Sequence, residues 1–446
     1  MERKGFATRI GAIAASVGSA VGLGNIWRFP YEAGDNGGGA FIIVYVLCVL
    51  ALGIPVMLSE FVIGRSTHKS MMGALKQLFP KGKAHLFTYV CIAGSVITLS
   101  FYSVVCGWVC EYLYLSLTGQ LIGSSTAEYG QIFNTFIASP WRCVGWTILF
   151  LILNFAVLLR GVEKGIERIS RLLMPMLFLL LIVFSVNSLL MPGCSQGLSF
   201  LFYPDFSALT LDGVLDALGQ AFMSLSLGVA CLITYSSYFS DETSLLKDAG
   251  VVALLDTLVA ILSGVVIFPA VFSYGFTPAA GPKLVFEVLP AIFQQMPGGM
   301  IWCILFFVLL LFASLTSTIS LSEISIAFSI EEHGQTRSRA TLWCVLVVTS
   351  IATVCALSFN VLSDIKAFGM NIFDLLNYAS ANVFMLLGGL FTAVIVGWQL
   401  DRKIVNAQLS DGSRLAPTLV RTVVFCMRYV APAAIVLIFL HYVGIL

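Results

Sequence analysis

The chain is poor in charge. Asp, Glu, Lys and Arg make up 11% of its 446 residues, against roughly 25% in a soluble domain. Histidine is scarcer still: the four, His68, His85, His333 and His441, all lie near the ends of apolar runs. No two are placed to grip a haem, and the metal motif H-E-x-x-H does not occur. A glycine-rich phosphate loop is missing too, which argues against coupling to ATP within this chain. There is no basic tract for nucleic acid and no low-complexity segment, and the net charge of +1 points to no partner. Neither an enzyme, an organic cofactor nor a nucleic-acid partner is expected. Cysteine is present, eleven times, mostly inside apolar runs, where it reads as a small buried hydrophobe. Cys143 and Cys194 could pair, but spacing does not establish a disulfide.

What the chain has is hydrophobicity, 59% of residues with a mean hydropathy of +0.96. Apolar runs cover 41–63, 87–117, 144–159, 172–191, 251–276, 301–330, 342–359, 379–398 and 420–443. Each reaches or approaches the roughly 17–25 residues that cross a bilayer as a helix. Two glycine-interrupted segments, 10–33 and 213–240, bring the expected total to about 11 transmembrane helices. The expectation is an all-α polytopic membrane protein in one domain, 1–446, with the lipid bilayer as its surroundings. Of the 24 Lys and Arg, only Arg28, Arg142, Lys283, Lys366 and Arg428 fall off the loops that an inside N-terminus makes cytoplasmic. Cytoplasmic loops are enriched in Lys and Arg, so the N-terminus is expected inside and the C-terminus outside. The first span does not read as a cleaved signal peptide, because its polar residues lie in its middle.

The first interrupted segment reads GSAVGLGNIWRFP over 18–30, followed by NGGG over 36–39. In hydrocarbon every backbone polar group must be paired, so a helix broken at mid-membrane is tolerated only where it lines a cavity or is buried in protein. Such segments in both halves of a membrane protein point to a transporter's binding site. The counterpart is 213–240, with Gln220, Ser224, Ser226 and Gly228 clustered in an apolar setting. Close helix packing through small residues would account for Gly219 or Ser236 alone; the amide and two hydroxyls together favour an unwound binding segment. Thr316 and Ser317 are adjacent hydroxyls in the eighth span. Such oxygens suit a hard monovalent cation, although Ser and Thr also bond back to their own helix carbonyls. Asp256 lies five residues into an apolar run. An intramembrane acid is a functional-site hypothesis by default; a hydrated position near the cytoplasmic interface is the alternative. Glu60, close to Gly64 and Arg65 at the cytoplasmic border, reads as solvated or paired there, and Glu323 as deep enough to line an inner pathway.

These residues fall into longer patterns: GSAVGLGNIWRFP with NGGGAF, G-I-P-x-x-x-x-E-x-x-x-G-R over 53–65, F-Y-S-x-x-x-G-W over 101–108, Q-A-F-x-S-L-S-L-G over 220–228, G-P-x-L-x-F-x-x-L-P over 281–290, and F-A-S-L-T-S over 312–317. Over essentially its whole length the chain resembles the neurotransmitter:sodium symporters. It is similar in particular to their bacterial leucine, tyrosine and multi-hydrophobic amino-acid transporters. The resemblance implies two inverted five-helix repeats, about 8–192 and 213–400, with helices 1 and 6 unwound at mid-membrane and helix 11 at about 419–444. It implies a sodium-coupled symporter importing an amino acid by alternating access in a bacterial inner membrane. The rival readings are a cation channel, which would need a continuous polar pore, and a non-transporting amino-acid sensor on the same scaffold.

Carried over position by position, a first sodium would be held by Asn25, Ser224, Asp256 and the carbonyl of Ala20. A second would sit on the carbonyls of Gly18, Val21 and Ala313 and the hydroxyls of Thr316 and Ser317. The substrate carboxylate would meet N–H groups near Leu23 and Gly24 and the hydroxyl of Tyr102, and its amine the carbonyls of Ala20, Met223 and Ser226. The side-chain pocket would involve Ser19, Leu23, Thr98, Tyr102, Met223, Val229, Ser317 and Leu321. Gly22 stands where monoamine transporters carry an aspartate, which favours an amino acid. Asp256 falls where chloride-dependent relatives carry Asn beside their chloride site, so its fixed charge implies chloride-independent transport. Met223 and Val229 replace phenylalanines of the leucine transporter, which favours apolar or aromatic substrates. At the outer gate Arg28 would bond Asn377 or reach Asp374. At the inner gate Arg3 would pair with Glu331, with Phe6 in place of a tryptophan.

Overall fold

The computed structural model describes residues 5–121, 125–276, 284–410 and 416–445; Arg3 lies outside them. Among these residues nine helices are long and apolar enough to cross a membrane, or ten if one bent pair is a single span. The bent pair is the first segment, Arg9–Ala20 and Gly24–Asp35, with 51° between its halves. The second to fifth spans are Gly39–Thr67, Ala84–Leu117, Pro140–Leu158 and Val162–Leu189. The seventh to eleventh are Leu245–Ser273, Gly299–His333, Arg337–Leu357, Ile372–Gln399 and Pro417–Tyr442. The segment expected as the sixth crossing is two shorter helices, Leu211–Ser224 and Cys231–Ser236, and neither meets that length alone.

The breaks follow from local chemistry. At the first, Val21 turns extended (ψ 113°) after its N–H bonds the Val17 carbonyl at 2.7 Å. The next turns are held by a side chain: the Gly22 N–H donates to Asn25 Oδ1 at 3.1 Å. At the second, Ser226, Gly228 and Ala230 all have positive φ, at 52°, 86° and 63°. Only glycine fits at 228, since a Cβ there would stand 1.9 Å from the Met385 carbonyl oxygen. That close approach seats the break against the tenth span. The Gly228 N–H, freed from any helix, donates to Glu60 Oε1 at 2.7 Å. Broken backbone is thus paired within the protein, as hydrocarbon requires.

The long third and eighth spans pack along one another, and the two breaks lie beside them. At the N-terminal end of the bundle, Phe6 packs on Tyr235 and Tyr238, with 5.8 Å between ring centroids in each case. Its N–H bonds the Tyr238 carbonyl at 3.1 Å. The Ala7 N–H and the Thr8 hydroxyl both donate to the Glu167 carboxylate at 2.7 Å. Glu323 is fully buried and accepts from Tyr238 Oη at 2.7 Å and from Arg337 at 2.6 Å. That end is closed, and Glu323 belongs to its seal. All eleven cysteines are free, Cys143 buried and Cys194 half-buried.

Candidate functional site

Asp256 comes from the seventh span, where its neighbours are apolar, and is fully buried. Its partners come from other elements. Asn25 Nδ2 lies 2.8 Å from Asp256 Oδ1 and 3.1 Å from the Asp256 carbonyl oxygen. Ser224 Oγ donates to Oδ2 at 2.6 Å, and Asn25 Nδ2 is also 2.8 Å from Ser224 Oγ. The first break, the end of the helix before the second break, and the seventh span therefore meet at one point. Among the described residues Asp256 makes no ion pair. A buried carboxylate held only by neutral donors is costly, and a small cation among these oxygens would offset that cost. The helix carrying Asp256 is buried along this face, so a hydrated position at the interface does not apply.

The second group joins the first break to the eighth span. Ser317 Oγ donates to the Val21 carbonyl at 3.0 Å and lies 3.4 Å from that of Gly18. Thr316 Oγ1 donates to the carbonyls of Phe312 and Ala313, both at 3.1 Å. The spans can approach because position 18 is glycine: a Cβ there would lie 3.1 Å from Thr316 Cβ. Gly18, Val21, Ala313, Thr316 and Ser317 are thus brought together, and back-bonding of the threonine occurs as well. No cluster of three or more His, Cys, Asp or Glu exists among the described residues. Carbonyl, hydroxyl and carboxylate oxygens are the donor set here, and they suit hard cations.

Between the groups runs the strand of backbone 21–24. The Leu23 N–H donates to Tyr102 Oη at 2.9 Å. A Cβ on Gly22 would stand 2.7 Å from Ser317 Oγ and 2.9 Å from Tyr102 Oη, so a side chain there would have to displace both hydroxyls. Ser226 Oγ donates to the Ser19 carbonyl at 2.9 Å, tying one break to the other, and Ser19 Oγ lies 3.0 Å from Cys231 Sγ. Val229 and Leu321 are buried. Thr98 donates to the Gly94 carbonyl at 2.7 Å and meets the Ser380 hydroxyl.

A cavity of about 820 Å³ opens from the breaks toward the end of the bundle opposite the N-terminal seal. Of the expected substrate residues, Leu23, Gly24, Tyr102 and Met223 line it. Ser19, Ala20, Thr98, Ser224, Ser226, Val229, Ser317 and Leu321 do not. The Leu23–Tyr102 bond and a contact of Arg28 with Met223 Sδ join residues that line the cavity floor.

The expected outer-gate residues do not pair in this structure. Arg28 bonds neither Asn377 nor Asp374, although both line the cavity. Its Nε donates to Glu32 Oε1 at 3.1 Å, because a carboxylate one turn along the same helix lies within reach. Glu331 accepts from the Ser70 N–H at 2.7 Å; its expected partner Arg3 is not among the described residues. Glu60 is not solvated at the border. It is fully buried and takes the Gly228 N–H, because the second break needs an acceptor that its own helix does not provide. Sequence reasoning also missed Tyr45, whose hydroxyl lies 3.2 Å from Ser224 Oγ and 3.4 Å from Asp256 Oδ2. A tyrosine inside the 41–63 apolar run was the available signal.

Comparison with known proteins agrees over the whole length. The family model described as the sodium:neurotransmitter symporter family matches residues 3–136 and 142–445. An uncharacterised sodium-dependent transporter of Bacillus subtilis is 39% identical over 441 residues, 99% of this chain and 98% of that protein. One from Haemophilus influenzae is 34% identical over 453 residues, 98% of each chain. Among solved structures, MhsT in complex with L-phenylalanine superposes with a TM-score of 0.91 at 40% identity, covering 99% of this chain and 100% of that one.

Proposed function

Because the chain belongs to the sodium:neurotransmitter symporter family, and is a sodium-dependent multi-pass membrane transporter, we propose that it carries an apolar or aromatic amino acid inward with sodium, independently of chloride. The observation that carries this reading is the buried Asn25–Ser224–Asp256 cluster, a carboxylate with neutral partners only, set against the free backbone at 21–24. One sodium would be taken by this cluster with the Ala20 carbonyl. A second would be taken by Gly18, Val21, Ala313, Thr316 and Ser317. The substrate carboxylate would displace Tyr102 Oη from the Leu23 N–H and share both donors. Its charge adds to the attraction for the first sodium, so each ligand raises the other's affinity reciprocally.

Asp256 supplies the fixed negative charge that an anion would otherwise bring, and Tyr45 and Ser224 orient it. Gly22 excludes a side-chain carboxylate of the protein where the substrate's own is needed. Met223, a flexible apolar residue at the cavity floor, suits medium to large side chains. The related MhsT is solved with L-phenylalanine, which supports that choice. With Lys and Arg in excess at the sealed end, that end would be cytoplasmic and the cavity would face outward. The second sodium would then hold this form by bridging the first and eighth spans. Its loss to the cytoplasm would release the Phe6 seal.

The test is uptake of the twenty radiolabelled amino acids into proteoliposomes under an inward sodium gradient, in chloride and in gluconate. Uptake that needs sodium and is unchanged in gluconate is the expected result. Uptake lost in gluconate would remove the role given to Asp256, and uptake without sodium would overturn the coupling.

A further inference from the structure

The last span ends in the wall of the outer cavity. Tyr442, the final residue of Pro417–Tyr442, lines that cavity with Arg28, Glu32, Asp216 and Met223. Its carbonyl accepts from Tyr378 Oη at 2.6 Å, which pins the helix end to the tenth span. Its hydroxyl lies 3.5 Å from Asp216 Oδ1 on the helix Leu211–Ser224. Glycine at 219 leaves room for the Tyr442 hydroxyl: a Cβ there would stand 2.7 Å from Tyr442 Oη, so the tip of the side chain would have to shift. Arg28 and Tyr442 line the same stretch of wall beside Gly219 and Met223, and Arg28 is bonded to Glu32. The guanidinium is therefore held on the side of the cavity built by the first, sixth and eleventh segments. Asp374 and Asn377, on the tenth span, line the same cavity and make no bond to it.

We infer that Tyr442 is a gate-positioning residue: with Asp216 and Glu32 it holds Arg28 back from Asp374 and Asn377, and so sets the balance between the open and closed outer gate. The inference rests on the transporter reading above. Closing over substrate requires Arg28 to leave this holding group. Every contact that favours the retracted position therefore opposes closure, and weakens substrate affinity, by the factor it contributes. Loss of one hydroxyl contact is worth about two- to tenfold in that balance.

Tyr442→Phe keeps the ring and removes the hydroxyl. Sodium-dependent binding of the substrate to purified protein should tighten about two- to tenfold, with no rise in Vmax. A residue that merely supports the fold would give the opposite sign, weaker binding. Asp216→Asn should act in the same direction, and combined with Tyr442→Phe it should add less than its single effect. Gly219→Ala, which pushes the ring away, should also tighten binding. A second readout needs no substrate. A cysteine placed at Met370, on the cavity wall, should react more slowly with an impermeant maleimide in sodium when Tyr442→Phe is also present. Unchanged affinity together with unchanged labelling would overturn the inference. Wild-type protein that takes up no amino acid would overturn the functional reading instead, while the labelling comparison would still decide the role of Tyr442.

Discussion

Replacing Asp256 by Asn tests the core of the functional reading with almost no change in shape. The amide oxygen can still accept from Asn25 Nδ2, now 2.8 Å from Oδ1. The new NH₂ would face Ser224 Oγ, which can turn from donor to acceptor. The fold should survive. What is lost is one unit of negative charge in a fully buried site. Two unit charges about 4 Å apart attract by about 4 kcal/mol at an effective dielectric near 20, which is about 700-fold in affinity. Relief of the carboxylate's burial in the empty protein offsets part of this. The expected loss of sodium affinity is therefore about 30- to 700-fold. Chloride should restore a share of it, because an anion could then supply the missing charge near Tyr45 and Ser224. The assay is sodium titration of substrate binding by purified wild-type and Asp256→Asn protein, in chloride and in gluconate. A variant with wild-type sodium affinity in gluconate would refute the reasoning, because the carboxylate would then not face the ion.

Other substitutions test separate parts. Ser317→Ala removes the hydroxyl that bonds the Val21 carbonyl at 3.0 Å. It should weaken sodium binding about tenfold, and a sodium titration unchanged by it would remove Ser317 from the ion site. Gly22→Asp would place a Cβ 2.7 Å from Ser317 Oγ and a charge where the substrate carboxylate is proposed to bind. Amino-acid uptake should fall more than about a hundredfold, while uptake with near wild-type KM would contradict the assigned carboxylate position. Gly228→Ala combines φ of 86° with a Cβ 1.9 Å from the Met385 oxygen. It should destabilise the protein by about 3 kcal/mol or more, read as a lowered melting temperature in detergent; an unchanged melting temperature would mean that the break does not pack as described.

Much of this protein was legible from residue types alone. Apolar runs of bilayer length, the sparse charge, and glycines inside two of those runs required membrane helices with two breaks, because hydrocarbon leaves a backbone few alternatives. Asn25, Ser224, Asp256, Thr316 and Ser317 stood out because polar groups in such runs are costly unless they are used. What only the tertiary structure decided was which of these groups meet, and what each long side chain reaches. Asp256 could have been a hydrated border residue until Asn25 and Ser224, far away in the chain, closed on it. Glu60 read as a border charge, yet it caps a break in another segment, because a freed N–H takes the nearest buried acceptor. Arg28 was expected across the cavity and lies instead along its own helix with Glu32, beside a tyrosine from the far end of the chain. Sequence periodicity sees neighbours a few residues apart, whereas these choices depend on distances set by the packing of five or six helices at once.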